Sequence, residues 1–450
     1  MPSKPPNILF VQTDNQRWDT LGCAGNPLIH TPNLDRLADQ GTHFTNAFAT
    51  TPICAASRAS ILTGLYRRRH DFTFVQPPFR TEFTDIAYPI LLRQAGYYTG
   101  LVGKLGIEFY GKLLLENEEE TLAKMFDVFD DFEHWTEEGY WISQEDGSHK
   151  HLTEITGEKV IDFLRACPAE QPFCLSVSFN APHAQDGDPR QYIWPQAEDE
   201  LYQAVTIPSP ANADPAFFAA LPPFLQQNEN RKRWHTRFNT PENYQRNVKG
   251  YWRMISAVDR MVGRFVTELE RWGMADNTVI IFTSDHGFMI GERGYSDCWL
   301  LYEGSLRVPL VVCDLRPDAP ARGIESDQLS LNIDLSPTML ELAGLEVPPM
   351  VQGNSLVPLL RGENPAWRDD FFCEHLFNTP NIVIPPSEGV RSNKWKYIRY
   401  FTQDPLYEEL FDLEADPDET QNMCQNPAYA KDLDRLRLRC DQLLAEARGA

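Results

Sequence analysis

NILFVQTDN, residues 7–15, is an apolar run that ends abruptly on a carboxylate and an amide. A short continuous apolar stretch bounded by turn-forming residues is the pattern of a buried strand. Working outward, three more segments repeat the design. YYTGLV (97–102) is followed by Gly103-Lys104, FCLSVSF (173–179) by Asn180-Ala-Pro-His183, and TVIIFT (278–283) by Ser284-Asp285-His286-Gly287. A fifth apolar run, VPLVVC, occupies 308–313. Helical patterns separate the strands. Thr31-Pro32 to Gly41 carries a capping Thr, Pro at the first helical position and a terminating Gly, and a longer pattern covers about 241–272. Strands interleaved with helices predict a largely parallel sheet covered on both faces, with ligands beyond the carboxyl ends of its strands. Each tail alone would serve as a cap or turn; four on one sheet edge point to a polar site. Asp14 and Asp285 would repel one another unless a cation sat between them. With Asn15 they offer hard oxygen ligands of the kind Ca²⁺ or Mg²⁺ takes, while His286 leaves the ion's identity open.

Composition narrows the function. Against 64 Asp plus Glu stand 41 Lys plus Arg, a formal charge of −23, which opposes docking on nucleic acid or an anionic membrane. The hydrophobic fraction of 42% suffices for a buried core. No apolar run reaches the roughly 18–20 residues of a membrane span. The start, Met1 to Pro6, leads straight into a strand without a signal-peptide core, so a cytoplasmic protein or a secreted or periplasmic one with its signal removed is expected. Nine cysteines without a C-x-x-C pair argue against a disulfide scaffold or structural zinc. Residues 184–240 break the rhythm with seven prolines, as a functional loop does. After Gly344 the texture changes: strand-like pieces at 389–401 and 407–411 precede a helix from about 427. A large α/β domain over 1–345 and a smaller α+β domain over 346–450 are expected.

The segment TTPICAASRASILTG, residues 50–64, is the most specific in the chain. Cys54 precedes a short helix whose free N–H groups favour an anion, and Arg58 lies one turn further on. A lone cysteine is ordinarily a small buried apolar residue. The C-x-A-x-R spacing within this string instead resembles the type I sulfatase signature, whose cysteine is oxidised after translation to formylglycine. NILFVQTDNQRWDTLGCAGN, TPNLDRLADQG, TSDHG, LYEGSLRVPL and the late GVRSNKWKYIRY and ELFDLEADPDE resemble further sulfatase landmarks in the family's order. The resemblance implies an alkaline-phosphatase-like fold: a large mixed, mostly parallel sheet flanked by helices, and a smaller C-terminal domain with an antiparallel sheet. It implies a formylglycine made from Cys54 by a formylglycine-generating enzyme, and a bound Ca²⁺, with Mg²⁺ or another divalent ion left open. Asp14, Asn15, Cys54, Asp285 and His286 would hold the metal. Arg58 and Lys104 would hold the diol and sulfate oxygens, and His183 would act as general acid at the leaving oxygen. In that scheme one hydroxyl of the hydrated aldehyde attacks sulfur and the other later expels sulfate. Three positions depart from the family pattern: Asn15 replaces a second Asp, Lys104 is followed by Leu105-Gly106-Ile107 without a His, and Cys298 stands where a Lys is common.

Other residues are candidates for substrate contact. Arg67, Arg68 and His70 follow the signature helix, where substrate would approach. Arg231, Arg233 and His235 flank Trp234 in the irregular stretch and suit an anionic sugar, or else face solvent. Cys298 joins them by its position. Trp135, Trp141 and Trp194 read as core or rim, with a sugar platform as the alternative. In the last helix Leu433, Leu436, Cys440, Leu443 and Leu444 form one apolar face. A sulfatase acting on a sulfated saccharide, best a short oligosaccharide end, is the expected function, with neither nucleic acid nor membrane as partner. A phosphonate monoester or phosphodiester hydrolase, and a non-catalytic sugar-binding relative, are the competing readings.

Overall fold

The run at Asn7–Thr13 forms strand β1, buried along its whole length. It lies in a computed structural model that describes residues 5–74, 77–109, 112–132, 139–319 and 322–449. In chain order follow α1 (Pro32–Gln40), β2 (Thr42–Phe44), α2 (Cys54–Thr63), β3 (Tyr98–Gly103) and β4 (Val128–Asp130). Then come α3 (Leu152–Ala166), β5 (Phe173–Ser178), α4 (Glu229–Arg237), α5 (Pro241–Arg271) and β6 (Thr278–Ser284). The strands β7 (Leu310–Asp314) and β8 (Ile324–Ser326) complete an eight-stranded sheet in the order β8-β2-β7-β6-β1-β5-β3-β4. From β6 to β4 every pairing is parallel, whereas β7 runs antiparallel to both β6 and β2. The run at 308–313 therefore enters the sheet against the prevailing direction.

Alternation along β1 divides the core. Leu9 and Val11 face α1, α3 and α5, meeting Leu34, Val160, Val258 and Met261. Ile8 and Phe10 face the other way, toward Ala55, Ala59 and Leu62 of α2 with Met339 and Leu340. This two-residue period is what a strand buried on both faces requires.

A second sheet, antiparallel, comprises β9 (Asp370–His375), β10 (Ser387–Ser392), β11 (Trp395–Tyr400) and β12 (Tyr407–Asp412). The last helix, α6 (Ala430–Arg448), lays Leu433, Leu436, Cys440 and Leu443 on Phe372, Val390 and Leu410. The opposite face, through Phe371, Ile398 and Phe411, packs on Phe48, Leu301 and Tyr302. Among the described residues no helix is long and apolar enough to cross a membrane.

Two local expectations are corrected. Thr31 does not cap α1: its hydroxyl accepts from the Gly22 N–H, and the Asp259 carboxylate of α5 receives the Asn33 and Leu34 N–H groups at 3.1 and 2.7 Å. The stretch 184–240 is not structureless, since the cationic run 231–237 lies in α4. Met1 to Lys4 and Trp135 lie outside the described residues.

Candidate active site

The carboxyl ends of β1, β3 and β6 are neighbours in the sheet or one strand apart, which gathers Asp14, Lys104 and Asp285 from distant parts of the chain. Asn15 turns the tail of β1 with a positive φ of 71°, a conformation Asn tolerates better than most residues. Its carbonyl accepts from the Tyr251 hydroxyl of α5 at 2.7 Å, and its N–H donates to Asp285 Oδ1 at 3.2 Å. Opposite the tails stands the start of α2, with Cys54 as its first residue rather than the one before it. Ser57 ties that helix to β6 by donating to the Asp285 carbonyl at 2.5 Å.

Arg58 crosses beneath this cluster and is almost wholly buried. Its guanidinium donates to Asp285 Oδ2 (2.9 Å), Asp14 Oδ2 (3.2 Å), the Lys104 carbonyl (2.7 Å) and Ser178 Oγ (2.5 Å). Gly106 passes directly over the Arg58 stem with φ +74°; a Cβ there would stand 2.4 Å from Arg58 Cδ. The Leu105-Gly106-Ile107 departure thus places a residue without a side chain against the arginine. Lys104 Nζ reaches Asp14 Oδ2 at 2.7 Å. Burial raises the Asp14 pKa, but Lys104, His183, Arg58 and His286 outweigh it and hold the carboxyl well below the usual carboxylate range. Burial, reinforced by Asp14, pushes the Cys54 thiol far up, so the unmodified side chain is a neutral thiol and a poor nucleophile.

Asp14, Cys54, Asp285 and His286 offer ligand atoms all within 4.8 Å of one another, and all four residues are buried. Cys54 Sγ lies 3.5 Å from Asp14 Oδ1 and 3.2 Å from His286 Nε2. His286 Nδ1 pairs with the Gly287 carbonyl at 2.8 Å, which assigns the proton to Nδ1 and leaves the Nε2 lone pair toward the cluster. Asn15 Oδ1 is buried there without a hydrogen-bond partner. The group is able to hold a metal ion.

Above it opens a cavity of about 320 Å³. Asn15, Cys54, Lys104 and His183 line its polar side, and Ile53, Phe74, Trp299, Phe377 and Ile382 its apolar wall. His183 Nδ1 donates to the Ala184 carbonyl at 2.6 Å; burial lowers the imidazole pKa although Asp14 opposes it. At the rim Arg233 and Arg237 interlock with Asp186 and Asp297, each guanidinium 2.7–2.8 Å from both carboxylates.

Of the proposed substrate contacts, Arg233 and Cys298 line this cavity. Arg67, Arg68 and His70 lie outside its lining. Arg67 pairs with Asp71, and Arg68 with Glu374 (2.6 Å) and Glu388 (3.0 Å). His70 is fully buried between Ser60 Oγ and the Phe72 N–H. Arg231 also lies outside the lining, sandwiched by Phe218 and Trp234, with Gly294 accepting from it at 2.9 Å; His235 is exposed beside Trp234. Trp141 and Trp194 border a separate groove with Tyr192 and Arg246. Residues that the sequence did not single out include Glu108, Asp186 and Asp297. Asp186-Gly-Asp-Pro looks like an ordinary turn, and nothing in the linear chain pairs it with Arg237, 51 residues on.

Residues 6–345 match the sulfatase family, and 291–446 match the family described as N-sulphoglucosamine sulphohydrolase, C-terminal. A choline-sulfatase of Rhizobium meliloti is 32% identical over 95% of this chain and 84% of its own. An N-acetylglucosamine-6-O-sulfatase of Bacteroides thetaiotaomicron is 29% identical with the same coverages. A structure solved in complex with its substrate D-glucosamine-2-N,6-O-disulfate superposes with a TM-score of 0.79, at 27% identity over 99% of both chains. The phosphonate monoester hydrolase of Agrobacterium radiobacter, 24% identical over 98% of this chain and 96% of its own, shares the fold with a TM-score of 0.81.

Proposed function

We propose that this chain, which belongs to the sulfatase family and is a sulfuric ester hydrolase, removes sulfate from a sulfated carbohydrate. The observation that carries the reading is the buried group Asp14, Cys54, Asp285 and His286 beneath an open cavity, braced by Arg58 and Lys104. The names of relatives that act on sulfated sugars support the substrate class. Residues 1–345 form the catalytic unit in this reading and 346–450 the C-terminal one.

The donor set fits a hard divalent cation. Two carboxylates converge, and the orphaned Asn15 Oδ1 supplies a third oxygen. Asp14, Asn15, Asp285 and His286 would hold it, Ca²⁺ by preference and Mg²⁺ as the alternative, and its charge would offset negative charge on the sulfate oxygens. A formylglycine made from Cys54 by a formylglycine-generating enzyme would supply, once hydrated, one hydroxyl to bond sulfur and a second to release it.

The chain's own groups do the rest. Arg58 sets one positive charge against both carboxylates and fixes their direction, itself held by the Lys104 carbonyl and Ser178. Lys104, anchored on Asp14, presents its ammonium at the cavity wall, where a sulfate oxygen is held. His183, oriented by the Ala184 carbonyl, carries the leaving alcohol's proton on Nε2. Phe74, Phe377 and Trp299 exclude water from the alcohol side.

The test is kinetic and chemical together. Protein whose Cys54 peptide is about 18 Da lighter should hydrolyse aryl and sugar sulfates, and Cys54→Ala should not. Retained turnover in Cys54→Ala sinks the mechanism, and faster turnover of an aryl phosphonate monoester than of the aryl sulfate moves the reaction to the other ester class.

A further inference from the structure

The cavity lining holds one charged group that no part of the site described so far uses. Glu108 lies in a short antiparallel pair of strands, Glu108–Phe109 against Lys112–Leu113, four residues beyond Lys104. It lines the cavity, is only 6% exposed, and its Oε1 is buried without a hydrogen-bond partner. A carboxylate withdrawn from water in this way is costly unless something in the cavity completes it. The cavity's own cations are committed elsewhere: Lys104 to Asp14 at 2.7 Å, Arg233 to Asp186 and Asp297 at 2.8 Å each.

From this geometry we infer that the alcohol released at the site carries a positively charged nitrogen, held by the Glu108 carboxylate against the aromatic wall. The inference rests on the sulfatase reading and narrows its substrate. Phe74 and Phe377 stand with ring centroids 5.5 Å apart, and Trp299 already carries the Arg233 guanidinium 4.9 Å from its ring centroid. Aromatic faces of this kind attract a desolvated cation. The rim offers nothing to a second anion. Arg233, Arg237 and Lys232 are matched one for one by Asp186, Asp297 and Glu229, so that network has no spare positive charge. A substrate with an extra carboxylate or sulfate would find no uncommitted cation there, whereas one with an ammonium would meet the Glu108 carboxylate. The same chemistry occurs in a quaternary amino alcohol and in the free amine of an amino sugar.

The experiment uses full-length protein with the Cys54 modification verified by mass. kcat/KM is measured for two matched pairs: choline sulfate against 3,3-dimethylbutyl sulfate, and glucosamine 6-sulfate against glucose 6-sulfate. At least about a tenfold preference for the cationic member of one pair is expected, the size of one charge-assisted contact. The pair that shows it identifies the source of the nitrogen. Glu108→Gln should bring the ratio toward one. Turnover of 4-nitrophenyl sulfate with no preference in either pair, or a preference unchanged in Glu108→Gln, overturns the inference and leaves the sulfatase reading intact. No turnover of any ester by the modified protein overturns both. Should Glu108→Gln fail to fold, product inhibition of the parent protein decides: the free cationic alcohol should inhibit at about tenfold lower concentration than its neutral isostere, and equal inhibition refutes the idea.

Discussion

Replacing Arg58 by Met keeps most of the side chain's length and removes the cation that joins both carboxylates. In the parent protein that guanidinium is 3% exposed and makes four hydrogen bonds. Without it Asp14 keeps Lys104, but Asp285 keeps only the N–H groups of Asn15 and His286. Removing one partner of a buried ion pair costs about 3–5 kcal/mol. At about 2.1 cal/mol/K per residue, the unfolding entropy of this chain is roughly 0.9 kcal/mol/K, so the melting temperature should fall by about 3–5 °C. A divalent cation bound by the same carboxylates replaces part of the missing charge. The loss should therefore be full in chelator and smaller in excess Ca²⁺. Differential scanning calorimetry of both proteins under the two conditions reads this directly. A shift below about 1 °C in chelator, or one of equal size with and without Ca²⁺, refutes the account of Arg58 as the counter-charge of a shared metal group.

Gly106→Ala should drive a methyl group into the Arg58 stem, where a Cβ has 2.4 Å of room. The guanidinium must shift, and kcat on an aryl sulfate should fall by about two orders of magnitude; unchanged kcat would show that Arg58 tolerates displacement. The His183 pKa lies below its ordinary 6.5, chiefly through burial. An acid that must be protonated is lost as pH rises through that pKa, so turnover of an alkyl sulfate should decline with rising pH with its midpoint below the ordinary 6.5, and the decline should vanish in His183→Gln. Extensive dialysis against a chelator should abolish turnover, and Ca²⁺ should restore it. Full activity after chelation contradicts the metal assignment.

What was legible in the sequence follows from where local pattern and long-range contact agree. The tails Asp14-Asn15, Lys104 and Asp285-His286 stood out because apolar runs of strand length stop on them, and parallel sheets expose such ends together. The C-x-A-x-R string announced α2 and its partner Arg58. The antiparallel entry of β7 was not legible, because a fully buried strand reads alike in both directions. Asp259 caps α1 from 226 residues away, where local chemistry favoured Thr31. The run Arg67 to His70 looked like a substrate patch, yet Glu374 and Glu388 of the second sheet neutralise Arg68 and Ser60 engages His70. Glu108 gave no signal at all: its meaning lies in a buried Oε1 without a hydrogen-bond partner, which only a three-dimensional structure reveals.

The central place of β1 carries a consequence for the order in which the molecule comes into being. Asn7 pairs with Thr278, 271 residues later in the chain, and the loops that bury Cys54 include Asp285, His286 and Cys298. At a synthesis rate of about 5–20 residues per second, the first strand waits about 14–54 s on the ribosome for β6, the later of its two neighbours. The 231 residues from Cys54 to Asp285 take about 12–46 s at that rate, and for that interval the thiol has no lid, whereas in the finished protein it is 8% exposed. Any enzyme that oxidises this side chain thus works against a clock set by translation, and slowing or hastening synthesis should change the fraction of chains that leave the ribosome modified.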